Sequence, residues 1–309
     1  MSQNAAPIES ARRSLARHAR KVSVTVASEV RARLQRRVNR NIRSAVGLAK
    51  DPPPRCTDPD EAYFALDSVA RVIHGDLPPM LVGGLGSLFI QMLHPHTMAG
   101  VAQHSRYRED LLGRLLQTAN FIGFTTYGTK AEAYASIERV LAVHQVVRGI
   151  ADDGVPYFAN DPHLLSWVHA AETSMFLSAY RRYGTVHLSD ADADRYVAEM
   201  ALLATDLGMI APPTSVCELE ATILRFRPEL RLSTEGTVAR DFVIRGVQRG
   251  PLHRGVNWLL VRASFALMSP WELDLLGMKP RPLRNRVFIQ PATTLLCRTL
   301  RLFVPPPPR

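Results

Sequence analysis

One pattern governs the chain from about residue 60 to residue 303. Apolar side chains return every three to four residues, and each such segment stops at glycine, proline or a turn. That period belongs to helices that bury one face. "PHLLSWVHAAETSMFLSAYRRYG" opens with Pro162 near its first helical position and stops at Gly184, the proline-first, glycine-last arrangement of a helix. "LSDADADRYVAEMALLATDLGM" opens on Ser189 as a cap. "DPDEAYFALDSVARVIHGD" reads as a helix capped by Asp58 and closed at Gly75. "YREDLLGRLLQTANFIGFTTYGT" closes near Gly128, and "KAEAYASIERVLAVHQVVRGI" reads as helix up to Gly149, followed by a turn-rich loop, "ADDGVPYFANDP". Further helices are expected near 214–227, 234–247, 256–276 and 282–302, and no strand-like alternation bounded by hairpin turns stands out. The expectation is an all-α fold. A multi-helix single globular domain spans 60–303, after a basic amphipathic leader (1–50) and a linker (51–59), and ahead of a proline-rich tail (304–309).

The formal net charge of +10 is confined to the leader. Residues 1–50 carry twelve Arg or Lys against two Glu, and the remainder is neutral. Over residues 10–48 the basic side chains are interspersed with Val, Leu and Ala, a composition suited either to a helix on an anionic membrane surface or to a solvated leader. Stacking aromatics are missing there, so no nucleic-acid partner is expected. No apolar run follows the N-terminal charges as in a secretory signal. Cys56, Cys217 and Cys297 are far apart with no CxxC spacing, which argues against a disulfide framework or a thiolate zinc site and makes a reducing cytoplasm the simplest setting. "MLVGGLGSLFIQML" (80–93) and "VNWLLVRASFALM" (256–268) fall short of the roughly 20 apolar residues of a membrane span and read as core helices. The expected location is cytoplasmic, with the leader in peripheral contact with the inner face of the membrane.

"FIQMLHPHTMAGVAQHS" (89–105) sets His94, His96 and His104 in an otherwise apolar helical stretch, with Pro95 bending it. In "ERVLAVHQVVRG", Val140, Val143, His144 and Val147 follow at i, i+3, i+4 and i+7, which puts His144 on a buried face. Leu165, His169, Glu172, Thr173 and Phe176 share another face, where Glu172 or Thr173 can hold the second ring nitrogen of His169. Taken singly, each histidine reads as a core residue with satisfied hydrogen bonds. A buried imidazole needs such a partner, or a metal. No HExxH string is present, nor the Glu-x-x-His pairs of a di-iron bundle. Haem iron asks only for one proximal histidine, an apolar pocket and cations for its propionates, and fits the inventory best. Arg114 and Thr118 in "RLLQT" lie one turn apart and can face one cavity; by themselves they read as a surface arginine and a core filler. "GGLGSLF" matches neither a nucleophile elbow around Ser87 nor a phosphate-binding loop.

In order, "GGLGSLFIQMLHPHTMAGVAQHS", "RLLQT", "VHQVVRG" and "DGVPYFANDPHLLSWVHAAETSMFLSAYRRY" resemble the family of mpaB-type oxygenases and latex-clearing rubber oxygenases, from about residue 65 to about residue 280. The resemblance implies an all-helical fold, haem b as the iron cofactor, and oxygenative cleavage of carbon–carbon double bonds in isoprenoid chains. It also implies that His144 is the proximal iron ligand, and that a distal Arg-x-x-Lys-Thr string falls on Arg114, Gln117 and Thr118. Gln117 departs from that string. A neutral amide is a poor axial ligand, so the distal position is expected to be open to O2, with Arg114 polarising it and Thr118 positioning it. His94, His96, His104 and His169 are expected to line or support the cofactor pocket without ligating the iron. The resulting expectation is a haem-dependent oxygenase that takes O2 and an apolar small-molecule or polyprenyl substrate. A non-catalytic haem carrier or sensor is the runner-up, and a cofactor-free helical structural protein the third reading.

Overall fold

The computed structural model describes residues 55–246, 250–304 and 306, together with residues 37 and 39–41. Apart from residues 37 and 39–41, which are helical, the reading of 10–48 lies outside the described residues, as do residues 51–54 of the linker. Among these leader residues, Asn39 Nδ2 donates to the Phe303 carbonyl at 3.2 Å.

The described chain is all-α apart from one small hairpin. It runs α1 (Val69–Gly75), α2 (Leu77–Gln91), α3 (Pro95–His104), α4 (Leu111–Tyr127) and α5 (Lys130–Val146), then strands β1 (Arg148–Ile150) and β2 (Pro156–Phe158). After the hairpin come α6 (Pro162–Tyr183), α7 (Asp190–Asp206), α8 (Val216–Phe226), α9 (Thr234–Arg245), α10 (Pro251–Phe265), α11 (Pro270–Leu275) and α12 (Gln290–Arg301). A 3₁₀ turn, Arg227–Glu229, extends α8, and a π-helical turn, Asn285–Ile289, leads into α12.

Helix boundaries follow local chemistry. Ser189 and Thr129 each accept from the N–H three residues on, while Asp192 and Glu132 reach back to the cap N–H, so two orphan donors are satisfied at each start. α6 begins at Asp161–Pro162 and ends at Gly184, as its sequence requires. Pro95 has a larger effect than a bend, because α2 and α3 are separate helices at 106° to each other. No single helix among the described residues is long and apolar enough to cross a membrane.

Several expectations need correction. Asp58 caps no helix; its carboxylate turns the chain locally by accepting from Asp60 N–H, and Ser68 caps α1 instead. α5 stops at Val146, and the following segments form an antiparallel hairpin with Gly149 opposite Tyr157. Three-residue strands are too short to show alternation, so the periodicity could not reveal them. The 256–276 segment divides into α10 and α11. Val143 is 56% exposed, and the buried face of α5 runs through Ala133, Ser136 and Ile137.

α6 is the central helix. It supplies Phe176, Leu177 and Tyr180 to a cluster with Ile73, Ile137 and Tyr196. It supplies Trp167, Ala171 and Met175 to a second with Phe89, Leu93 and Phe226, and Ala179 and Tyr183 to a third with Val82, Leu260 and Cys297. α2 packs along it at close range. A Cβ on Gly83 would lie 2.8 Å from the Phe176 ring and 3.0 Å from the Met175 carbonyl, and one on Gly86 would lie 2.9 Å from Met175 Sδ. A buried ion pair closes the far end of this layer. Arg301 of α12 donates twice to Asp76, at 2.9 and 2.7 Å, and once more to the Tyr183 carbonyl. Asp76 is essentially inaccessible, so leaving it without its arginine costs about 3–5 kcal/mol.

The close approach sets two neighbouring glycines apart. Gly83→Ala is expected to destabilise the fold by about 1–3 kcal/mol through overpacking, despite alanine's better helix propensity. At Gly84 the added Cβ would meet nothing closer than 3.8 Å. Gly84→Ala should therefore be neutral or stabilise by up to about 1 kcal/mol, and urea unfolding midpoints of the two variants measure the contrast.

Candidate functional site

The first constellation is built on the α4–α5 pair. These helices are antiparallel neighbours joined by a tight turn at Gly128–Thr129, so the start of α4 stands level with the end of α5. That places Arg114, Gln117 and Thr118 opposite His144. The charge of Arg114 reaches the imidazole: burial first, and then Arg114, push the His144 pKa down. Thr118 Oγ1 donates to the Arg114 carbonyl at 3.3 Å.

Two features mark the surroundings of this pair. Arg114 is exposed to solvent, yet surrounding protein desolvates its guanidinium and lowers its pKa. From Gly113 to Phe124, α4 buries no residue, although Leu115, Leu116, Phe121 and Ile122 are apolar. His144 has no hydrogen-bond partner, and its Nδ1 is buried.

α6 carries similarly unspent groups. His169 Nε2 and Thr173 Oγ1 are buried without partners, so the expected hydrogen bond from Thr173 or Glu172 to His169 is not formed. Burial lowers the His169 pKa to about 4 and raises that of the Glu172 carboxyl to about 7. Deeper in, His74 is fixed between Thr126 Oγ1 (2.8 Å) and Tyr196 Oη (3.1 Å), and burial lowers its pKa to about 3. Burial first, and then the charge of Glu172, raise the Tyr196 pKa, which connects these groups electrostatically.

The second constellation gathers at the start of α6. His163 Nε2 is 2.7 Å from Glu229 Oε2, and His94 Nε2 is 3.6 Å from the same oxygen. One ligand atom from each of the three lies within 4.8 Å of the others. Trp167 and Phe226 wall the inner side, with the His163 and Phe226 ring centroids 4.5 Å apart. His94 is 2% exposed, and neither ring nitrogen has a hydrogen-bond partner. Burial, followed by the neighbouring His96, lowers its pKa to about 4. His96 is turned to Asp153 at 3.1 Å, an aspartate that also accepts from Arg231 at 2.7 Å. His104 reaches the Arg148 carbonyl at 3.1 Å.

The structure thus brings Arg114 near His144, with Gln117 and Thr118 within a turn of Arg114 on α4, and leaves His169 and Glu172 unspent on α6. His94 and His96 assemble instead with His163 and Glu229, while His104 supports β1. No hydrogen bond or ring contact joins the two constellations among the described residues. His163 and His169 are six residues apart on one helix, about 9 Å along the axis and about 120° around it. Sequence reasoning missed His163 and Glu229, because 66 residues separate them and nothing local links them.

Comparison with known protein families decides the lineage. The family described as "ER-bound oxygenase mpaB/B'/Rubber oxygenase, catalytic domain" matches residues 71–302. The chain belongs to this family. It is an oxygenase, an oxidoreductase by class, and an oxygenase acts on a small-molecule substrate together with O2. No curated protein and no solved structure matches it. The matched span begins within α1 and ends just after α12, so it takes in both constellations.

The Glu172 carboxyl makes a pH prediction. Its folded-state pKa, about 7, lies above the ordinary value of 4.5. Its contribution to stability is therefore full below about pH 4.5 and is lost as pH rises through about 7. Because the side chain is partly accessible, the loss is expected to be about 1–2 kcal/mol, less than the full shift would imply. Glu172→Gln should raise the melting temperature at pH 8 and change it little at pH 4.5. Thermal unfolding at the two pH values measures this.

Proposed function

We propose that the chain is a haem b-dependent oxygenase that cleaves a carbon–carbon double bond in an apolar, isoprenoid or lipid-like molecule. One O2 is consumed per double bond, and its two atoms become the oxygens of two carbonyl groups. The observation that carries this reading is His144, an imidazole with no hydrogen-bond partner and a buried Nδ1, close enough to Arg114 for its charge to be felt.

The donor set fits a haem. His144 has an uncommitted ring, and its lowered pKa keeps it neutral and able to ligate at neutral pH. The half-open apolar length of α4 offers a surface for a flat, largely apolar group. Haem, when bound, supplies the one-electron chemistry that O2 requires. His144 would hold it, and His169 would support it from α6.

The remaining work falls to side chains of this chain. Arg114 keeps its positive charge in a partly desolvated position, where charge developing on oxygen is stabilised most. Thr118 holds its hydroxyl on the Arg114 carbonyl by a long bond, one it can exchange for a contact with substrate oxygen. Gln117 is exposed, and its amide contributes a donor without competing as a ligand. Glu172, with a pKa near neutrality, can hold or release a proton at its carboxyl oxygen. His94, His96 and His104 stand further out and shape the α3 wall. For the basic leader, we extend the proposal to contact between residues 10–48 and anionic lipid, which would bring the domain to a membrane-dissolved substrate.

An absorbance spectrum of the purified protein with added haemin is expected to show a Soret band that shifts on reduction. His144→Ala should abolish it with little change in helical content; full haem retention in that variant overturns the assignment. Arg114→Ala should keep the band and lower turnover of a polyprenyl substrate by about 10²–10³-fold. Undiminished turnover would remove Arg114 from the reaction.

A further inference from the structure

We propose that His94, His163 and Glu229 form a binding site for a divalent first-row transition-metal cation, distinct from the His144 constellation. Two imidazoles and one carboxylate converge from three elements: the segment entering α3, the first turn of α6, and the 3₁₀ turn after α8. Two imidazoles with one carboxylate is a donor set for zinc or iron(II), whereas all-oxygen sets select magnesium and calcium.

The central evidence is His94. It is 2% exposed, both of its ring nitrogens lack a hydrogen-bond partner, and Nε2 points at Glu229 Oε2 from 3.6 Å. That separation is too long for a hydrogen bond. It is close to the distance of about 3.4 Å between neighbouring ligand atoms around a tetrahedral ion with bonds of about 2.1 Å. A buried polar group without a partner is costly, and a cation between these three residues gives His94 Nε2 its partner. The shorter His163–Glu229 contact of 2.7 Å would open as the ion entered. Both side chains are about half exposed and free to make that adjustment.

The backbone is arranged to hold the three ligands in place. Each adjoins a proline: Pro95 follows His94, Pro162 precedes His163, and Pro228 precedes Glu229. Proline's fixed φ limits the freedom of the helix starts and of the turn. Asp161 accepts from the His163 N–H at 2.9 Å, and Arg231 N–H donates to the Leu93 carbonyl at 2.8 Å. The second bond ties the strand carrying Glu229 to the residue before His94. Trp167 and Phe226 close the inner side, so the coordination positions left over face solvent. Such a site takes one ion with three protein ligands and completes its shell with water.

The test is equilibrium dialysis and calorimetry of the chelator-stripped full-length protein with Zn2+ alone. Co2+ serves as a second probe, because its visible spectrum reports coordination. The expected result is one saturable equivalent of Zn2+. His163→Asn and Glu229→Gln should each weaken its binding at least tenfold, with little change in the metal-free melting temperature. His144→Ala should bind Zn2+ as the wild type does, and Glu229→Gln should keep any Soret band. Failure of the haem reading is thus separable from failure of this one. No saturable Zn2+ binding by the wild type, wild-type affinity in the His163→Asn/Glu229→Gln double variant, or loss of the equivalent in His144→Ala would each overturn the proposal.

Discussion

Everything of chemical interest hangs on how closely α2 approaches α6. Without a Cβ at Gly83 and Gly86, the backbone of α2 lies against Phe176 and Met175, and the two helices act as one rigid layer. The three hydrophobic clusters then form around the shared α6. The layer also fixes the exit of α2. Pro95 turns the chain there by 106°, leaving His94 buried at the corner beside Trp167 and Phe226. On the same α6, His163 faces that corner and His169 with Glu172 faces another side. One close helix–helix contact therefore sets the positions of two groups of titratable side chains.

Unspent polarity is the common property of those groups. Folded proteins satisfy nearly all of their buried polar atoms, yet His94, His144, His169 and Thr173 all retain buried atoms without partners. Several other buried groups are satisfied. Asp76 is fully engaged by Arg301, His74 by Thr126 and Tyr196, and the helix starts by their capping boxes. Other buried atoms without partners, such as those of Arg71, Thr97 and Arg262, are scattered through the fold, whereas the imidazoles His94, His144 and His169 are the metal-ligating side chains among them. A free imidazole with a nearby arginine beside the half-open apolar face of α4 is the setting of the haem proposed above. A tight cluster of two imidazoles and a carboxylate suits a single ion.

Most of the fold was legible because its information is short-range. Ser189, Thr129 and Pro162 announce helix starts, Gly128 and Gly184 announce ends, and the apolar period between them announces helices. Errors fell where tertiary contacts outweigh local signals. Asp58 looked like a cap but spends its carboxylate on a turn, since the segment that follows is held by Ala62 bridging to Thr129. The β1–β2 hairpin has strands too short to carry a period. Val143 sat in a plausible apolar stripe, yet α5 buries the face of Ala133 and Ile137 instead. Family membership was readable from ordered strings, because those strings survive without any knowledge of packing.

By itself, the sequence determined the helical class, most helix limits, a bend at Pro95, the resemblance to the oxygenase family and the nomination of His144 with Arg114, Gln117 and Thr118. Only the tertiary structure decided which histidines share a space. It moved His94 and His96 away from the company of His144 and joined His94 to His163 and to Glu229, 66 residues beyond His163. It also left Glu172 desolvated, with a pKa near 7. The physical reason is that capping and periodicity are written within a turn or two of chain. A pKa or a ligand set depends on what distant segments bring to within a few ångströms, and that is settled only when the helices pack.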